Sequence, residues 1–188
     1  EKAAELSTFI EQYDDKIFEA HSTDYQSMEG LSNLVRDHFA ILKVGPWLTF
    51  AFREAIFGLS HIEEELLGND TSGNLAIFRQ VLEQTMLDNP ESWENHYHGD
   101  EATLGLLRKY SYSDRSRYYW QQQPVRNALG TLFSNLSSSE IPLTLLSQFL
   151  PDQYQAIRDG KLNNDPEAIA LHNIQQVTGL YSEATRFK

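Results

Sequence analysis

The hydrophobic positions in the first third of the chain change from helical to strand spacing and back. Four elements are predicted in this order: a helix over residues 2–13, a strand over 16–21, a helix over 26–38 and a strand over 39–44. A long helix follows from Trp47 to about Leu67, and Gly68-Asn69 ends it. Strands and helices that alternate with short connections are typical of βαβ units in a parallel sheet.

The second predicted strand is an apolar run broken only by Lys43, and such near-continuous apolar runs are typical of strands buried on both faces of a parallel sheet. Only two strands are predicted, and an isolated two-stranded sheet leaves apolar faces and backbone groups without partners. The chain also begins inside a predicted helix. We therefore expect the sheet to continue beyond this chain.

The remainder of the chain has helical spacing throughout. An apolar stripe between Leu75 and Met86 predicts one helix, and four further helix starts are indicated by capping residues or prolines. These starts are Asn89-Pro90, Asp100, Pro124 and Asp165-Pro166, and Ser137 to Glu140 is predicted to cap one more helix. The sequence thus predicts an α/β region over residues 1–68 and an all-helical domain over 69–188.

Composition and charge narrow the range of partners. The 188 residues include 40% hydrophobic residues, enough for a core, and carry a formal net charge of −12. Such a chain repels nucleic-acid phosphates and anionic membrane surfaces, so we expect neither as a partner. It contains no cysteine, which excludes disulfides and thiolate chemistry. We find no membrane-spanning stretch and no signal peptide in this sequence, and we expect a cytoplasmic protein.

Polar residues gather where the two predicted strands end. The cluster consists of His21, Ser22, Thr23 and Asp24 after the first strand, and of Lys43 and Gly45 at the end of the second. Ligands bind at the carboxyl ends of strands in parallel α/β folds, so these groups are candidates for binding one ligand. An ammonium group beside a backbone amide suits an anionic ligand such as a sugar phosphate.

A structural interpretation of the same cluster stays open. Thr23 and Asp24 could cap the helix that follows them, and His21 could form a local hydrogen bond. Lys43 lies in a predicted buried strand and therefore requires a partner, which could be a ligand anion, Asp24 or Glu19.

Two further segments contain residues that often carry chemistry. In HYHGD, His96 and His98 have the two-residue spacing of some zinc sites, but no further ligand is evident and a turn closed by Gly99 is favoured. The segment YSYSDRSRYYW mixes aromatic and basic side chains, which favours an interface or a packed turn over a nucleic-acid site. Its candidate interface residues are Arg115, Arg117, Tyr118, Tyr119 and Trp120.

Several of these segments together resemble one known family, the non-catalytic subunit of class II D-tagatose-1,6-bisphosphate aldolase, whose members have also been labelled tagatose-6-phosphate kinase. The resemblance covers nearly the whole chain and weakens at residues 69–76, 121–139 and from 160 onward. It is carried by FEAHSTDYQ, DHFAILKVGPWLTFAFREAIFGL, HYHGD, YSYSDRSRYYW and IPLTLLSQFLPDQY.

The resemblance implies a (β/α)₈ barrel followed by a helical C-terminal region, with this chain forming the last two strands and the helices. It implies an accessory role in galactitol and N-acetylgalactosamine breakdown, through tagatose 6-phosphate, in which the chain supports the activity and stability of a catalytic aldolase subunit. The catalytic aldolases bind zinc through histidines. No set of zinc-binding histidines of this kind can be matched to positions in this sequence. We therefore assign no metal, no other cofactor and no catalytic residue to this chain on the basis of the resemblance.

Two other hypotheses remain beside the accessory subunit. The chain could belong to an enzyme in its own right, a sugar-phosphate-binding or aldolase-like barrel. It could also be a helical interaction module with a vestigial α/β segment. The activity of the complete protein, measured with and without a catalytic partner, separates the first two hypotheses.

Overall fold

The computed structural model describes residues 3–68 and 74–186 of the chain. These fall into two compact units: the first unit comprises Glu1–Leu48 with Gln175–Lys188, and the second unit comprises Thr49–Ile174. The predicted boundary at residue 68, including the helix stop at Asn69, borders residues 69–73, which lie outside the described part.

The first unit contains two helices and two strands in alternating order. Their bounds are α1 Ala4–Ile10, β1 Phe18–Ala20, α2 Met28–Arg36 and β2 Phe39–Leu42. All four predicted elements are therefore present, although each is shorter than predicted. Helix α3, Trp47–Leu67, begins in this unit and continues into the second, with the bounds that the sequence predicts.

The second unit is helical in its described residues. After α3 it contains α4 Phe78–Asp88, α5 Glu101–Tyr110, α6 Gln123–Leu136, α7 Leu143–Phe149, α8 Pro151–Arg158 and the N-terminal part of α9, Pro166–Ala184, which continues into the first unit after Ile174. Two 3₁₀ turns, Pro90–Ser92 and Arg115–Tyr118, separate some of these helices. None of the described helices has both the length and the apolar character needed to cross a membrane.

Capping side chains explain several helix starts. Asp100 accepts a hydrogen bond from the Thr103 amide at 2.9 Å, and Asp165 accepts one from the Ala168 amide at 2.9 Å, as the sequence predicts. The prediction that Ser137 to Glu140 caps a helix is wrong. Helix α7 begins after Pro142 without a side-chain cap, and Ser138 donates its hydroxyl to the Asn135 carbonyl instead.

The two strands pair in parallel and form a two-stranded sheet. Glu19 lies opposite Ile41 and Ala20 lies opposite Leu42, so these two pairs present their side chains to opposite faces. Ala20 is buried, whereas Ile41 is 41% exposed. Of the seven residues in the two strands only Ala20 is buried, and Ala40 is exposed like Ile41. The expectation that both faces are buried is therefore wrong for the described residues, and the face that carries Ile41 is open.

The main hydrophobic core lies within the second unit and is built around α3. The α3 side chains that are fully buried recur every three or four residues, which places them on one side of the helix. They contribute to a core shared with α4, α6, α7 and α9, whose members with 0% exposure are Ala55, Ile56, Leu59, Ile62, Phe78, Val125, Leu132, Leu146 and Ile169.

Candidate functional site

The loop after β1 holds an unusual backbone conformation. Ser22 and Tyr25 have φ angles of 54° and 59°, in the left-handed region that non-glycine residues rarely adopt. Such residues cost roughly 1–3 kcal/mol each and persist only where the surrounding contacts hold them. Between them, Thr23 and Asp24 supply those contacts.

Thr23 anchors the loop to the end of the second strand. Its side chain is buried, and both its amide and its hydroxyl donate to the Lys43 carbonyl at 3.1 Å. The Tyr181 hydroxyl lies 2.9 Å from the Thr23 hydroxyl and donates to the Thr23 carbonyl at 2.9 Å. Burial raises the pKa of Tyr181, so this phenol remains a hydrogen-bond donor at neutral pH.

Asp24 caps a helix, but a different one from the helix that follows it in sequence. Its Oδ1 accepts hydrogen bonds from the Gly45 amide at 2.8 Å and the Trp47 amide at 3.0 Å, at the start of α3. The alternative that Thr23 and Asp24 cap α2 is wrong, because Ser27 holds that position and accepts from the Gly30 amide at 3.1 Å. A cap of this kind stabilises a helix by about 1 kcal/mol.

The close approach of Asp24 also explains the glycine in the Lys-Val-Gly-Pro segment. A Cβ atom at Gly45 would lie 2.8 Å from Asp24 Oδ2, closer than non-bonded atoms normally come. A side chain at Gly45 would therefore push against the Asp24 carboxylate, and the Gly45 amide is already engaged by that carboxylate.

Glu19 connects His21 and Lys43 at the strand ends. Its Oε1 lies 2.6 Å from Lys43 Nζ and 2.5 Å from His21 Nε2. The hydrogen bond from the Lys43 ammonium lowers the pKa of Glu19, with a smaller contribution from His21. Glu19 is therefore ionised at neutral pH and is the partner of Lys43. We call Glu19, His21 and Lys43 the strand-end triad.

The strand-end triad lies on the open side of the sheet. Glu19 shares its face with the exposed Ile41, opposite the face that buries Ala20. The side chains of His21, Lys43 and Glu19 are 69%, 52% and 32% exposed. The expectation that Lys43 lies within a buried strand is therefore corrected: β2 ends at Leu42, and the Lys43 side chain is accessible to ligands.

The segment YSYSDRSRYYW divides between surface and core. Tyr119 and Trp120 are 1% and 9% exposed, and Trp120 stacks on Phe78 with ring centroids 5.3 Å apart. As interface candidates these two residues are corrected to core residues. Tyr118 is 50% exposed, and the Arg117 guanidinium lies over its ring at 4.4 Å.

A buried ion pair that the sequence interpretation missed fixes this segment. Asp114, fully buried, accepts from Arg53 Nη1 at 2.7 Å, from the Ser116 hydroxyl at 2.7 Å and from the Thr49 hydroxyl at 2.5 Å. Arg53 and Glu54 are the two charged residues in the otherwise largely apolar segment WLTFAFREAIF, residues 47–57. An arginine in such a segment requires a partner if it is buried. The sequence pattern therefore indicates that Arg53 has a partner, but it does not identify that partner as Asp114.

His96 and His98 are exposed, and the residue between them, Tyr97, is buried. Gly99 has a φ of 146°, which supports the predicted turn, and Asp100 caps α5. Within residues 3–68 and 74–186, no group of three or more histidine, aspartate or glutamate side chains could hold a metal ion.

Two parallel strands joined through a helix, with polar side chains gathered at their carboxyl ends, define a mixed α/β protein that is mostly helical. The chain belongs to the family described as D-tagatose-1,6-bisphosphate aldolase subunit GatZ/KbaZ-like, whose model matches residues 1–186.

A solved structure supports this assignment. The crystal structure of a probable tagatose 6 phosphate kinase from Sinorhizobium meliloti 1021 is 42% identical in sequence and superposes with a TM-score of 0.91. The match covers 97% of this chain and 46% of that chain, so this chain spans less than half the length of its structural relative.

Proposed function

We propose that this chain is part of an accessory, non-catalytic subunit of class II D-tagatose-1,6-bisphosphate aldolase. The match of the family model to residues 1–186 is the observation that carries this proposal. The subunit would bind a catalytic aldolase subunit in the cytoplasm and support its activity and stability. The pathway would be the breakdown of galactitol or N-acetylgalactosamine through tagatose 6-phosphate.

We further propose that residues 1–68 form the last βα units of a (β/α)₈ barrel and that residues 69–188 form an appended helical domain. Each strand of the sheet has one unpaired edge among the described residues, and one sheet face is open. Neighbouring strands of a barrel would pair both edges, and the open face would become the barrel interior. The strand-end triad would then lie at the mouth, where this fold binds ligands.

The accessory role requires a physical complex with a catalytic subunit. We propose that Arg115, Arg117 and Tyr118 contribute to the contact, because arginine and tyrosine side chains are favoured at interface hot spots. Co-purification of the full-length protein with a tagged catalytic aldolase subunit tests the association. Elution of the two proteins at separate volumes, at micromolar concentrations, would contradict it.

A second candidate function is the binding of a phosphorylated sugar at the strand ends, in a protein that has an activity of its own. The accessible Lys43 ammonium favours this candidate, together with the exposed His21 beside it. The other members of the predicted cluster have structural contacts in the chain: Thr23 anchors the loop, and Asp24 binds the Gly45 amide. Ser22 is exposed and would lie at the rim of the site.

Replacing Lys43 with Met tests this site. We expect Lys43→Met in the full-length protein to weaken binding of D-tagatose 6-phosphate by about tenfold, because a charge-assisted hydrogen bond to phosphate is lost. The melting temperature should change little, since the side chain is half exposed. Calorimetric titration measures the affinity, and equal binding by the variant would show that Lys43 is not a ligand contact.

A further inference from the structure

The two groups that suit an anionic ligand at the strand ends are both engaged by carboxylates of the chain itself. The Lys43 ammonium binds Glu19 at 2.6 Å, and the Gly45 amide binds Asp24 at 2.8 Å. Each of the two donors therefore already has a carboxylate acceptor. An anion that approaches this site meets a competitor at each donor, and the two competitors differ in how firmly they are held.

Asp24 is held by the fold. Its Oδ1 accepts from two backbone amides at the start of α3, and its Oδ2 packs so close to Gly45 that a Cβ atom there would lie only 2.8 Å away. Displacing Asp24 would uncap a helix of 21 residues. The Gly45 amide is thus unavailable to a ligand, and an anion has to be bound through the side chains of the strand-end triad.

Glu19 is held less firmly. Both of its described partners are side chains, His21 and Lys43, and both are more than half exposed. Ion pairs between exposed side chains are weak, because water and dissolved salt screen them and because long side chains lose entropy in one geometry. The Glu19 carboxylate can therefore turn away from Lys43 without disturbing a helix cap or a backbone hydrogen bond.

We propose that Glu19 is a built-in competitor for Lys43: its carboxylate occupies the place of a ligand phosphate, so the site admits a phosphate dianion but not the carboxylate of a sugar acid. This inference rests on the proposed sugar-phosphate site. A ligand carboxylate would replace Glu19 with a group of equal charge and gain nothing electrostatically. A phosphate monoester carries a charge of about −1.5 to −2 at neutral pH and attracts the ammonium more strongly.

The test compares two ligands and two matched variants of the full-length protein by calorimetric titration at pH 7.5. The ligands are D-tagatose 6-phosphate and D-gluconate, an open-chain sugar acid. Glu19→Gln removes the competing charge and keeps the side-chain length. Glu11→Gln is the control, because Glu11 is also exposed and also pairs with a histidine, His38, at 3.0 Å.

We expect the wild-type protein to bind D-tagatose 6-phosphate at least about tenfold more tightly than D-gluconate. Glu19→Gln should tighten binding of D-tagatose 6-phosphate by about two- to fivefold, the range set by the loss of one exposed ion pair. Glu11→Gln should bind as the wild type does. Adding Lys43→Met to Glu19→Gln should abolish the gain.

Three results would overturn the inference. Unchanged or weaker binding by Glu19→Gln, while Lys43→Met still loses affinity, would keep the phosphate site but remove Glu19 as its competitor. Equal wild-type affinity for the two ligands would remove the selectivity for phosphate. If neither the wild-type protein nor any variant binds D-tagatose 6-phosphate, the proposed sugar-phosphate site is wrong as well. The accessory role does not depend on that result, because assays with the catalytic subunit test it separately.

Discussion

Replacing Asp114 with Ala should lower the free energy of unfolding of the second unit by about 3–5 kcal/mol, because Arg53 would be left buried without a counter-charge. Both side chains are almost inaccessible to water, with exposures of 0% and 2%, and Nη1 of Arg53 lies 2.7 Å from Asp114 Oδ1. The hydroxyls of Ser116 and Thr49 would lose their acceptor as well. Unfolding in urea, followed by circular dichroism, measures the change.

Two matched variants separate the causes. Asp114→Asn keeps the size of the side chain and its tolerance of the left-handed backbone, where Asp114 has a φ of 42°, so it isolates the loss of charge. Asp159→Ala removes an aspartate from an exposed pair with Lys161 and should leave the unfolding midpoint unchanged. A loss below about 1 kcal/mol in Asp114→Ala would show that the pair contributes little to stability.

Backbone amides of β1 and β2 should exchange with deuterium about 100-fold faster than those of Ala55 to Ile62 in α3, when residues 1–188 are studied alone. The main core cluster lies entirely in the second unit, whereas the sheet has two strands, an open face and the exposed Ile17 beside it. A sheet of this size is only marginally stable in water.

The same exchange measurement on the full-length protein tests the barrel proposal. Strands paired on both edges exchange slowly, so the β1 and β2 amides should become as well protected as those of α3. Equal protection of β1, β2 and α3 in residues 1–188 alone would contradict the placement of this sheet in a larger barrel.

Helices with strong local signals could be predicted from the sequence, and α3 is the clearest case. Its apolar spacing, the Gly45-Pro46 segment before it and Gly68 after it are all local, and the predicted bounds agree with the structure. Asp100 and Asp165 likewise act on amides three residues away, so their capping could be predicted.

The contacts of the candidate site depend on distant residues and could not be predicted in the same way. Asp24 binds amides more than 20 residues later in the chain, and Asp114 binds an arginine 61 residues earlier. The sequence left Asp24, Glu19 and a ligand as possible partners of Lys43. The choice of Glu19 follows from the parallel register, which places Glu19 opposite Ile41, two residues before Lys43.

The sequence pattern also does not predict which aromatic residues of the segment YSYSDRSRYYW are buried. Tyr118, Tyr119 and Trp120 are adjacent and chemically similar, yet only Tyr118 is exposed. The 3₁₀ turn Arg115–Tyr118 ends at Tyr118, so Tyr119 and Trp120 follow it. The residue before this turn, Asp114, is held by its buried ion pair with Arg53. The exposure of the three rings thus accompanies tertiary contacts that the local sequence pattern does not contain.

The cleavage rate of D-tagatose 1,6-bisphosphate tests the central proposal most directly. The rate should be measured for the catalytic aldolase subunit alone, for the full-length protein alone, and for both together, with an unrelated acidic protein as the control addition. We predict no cleavage by the full-length protein alone and a faster, longer-lasting rate for the mixture than for the catalytic subunit alone. Cleavage by the full-length protein, purified free of aldolase, or a mixture no more active than the catalytic subunit, would contradict the accessory role.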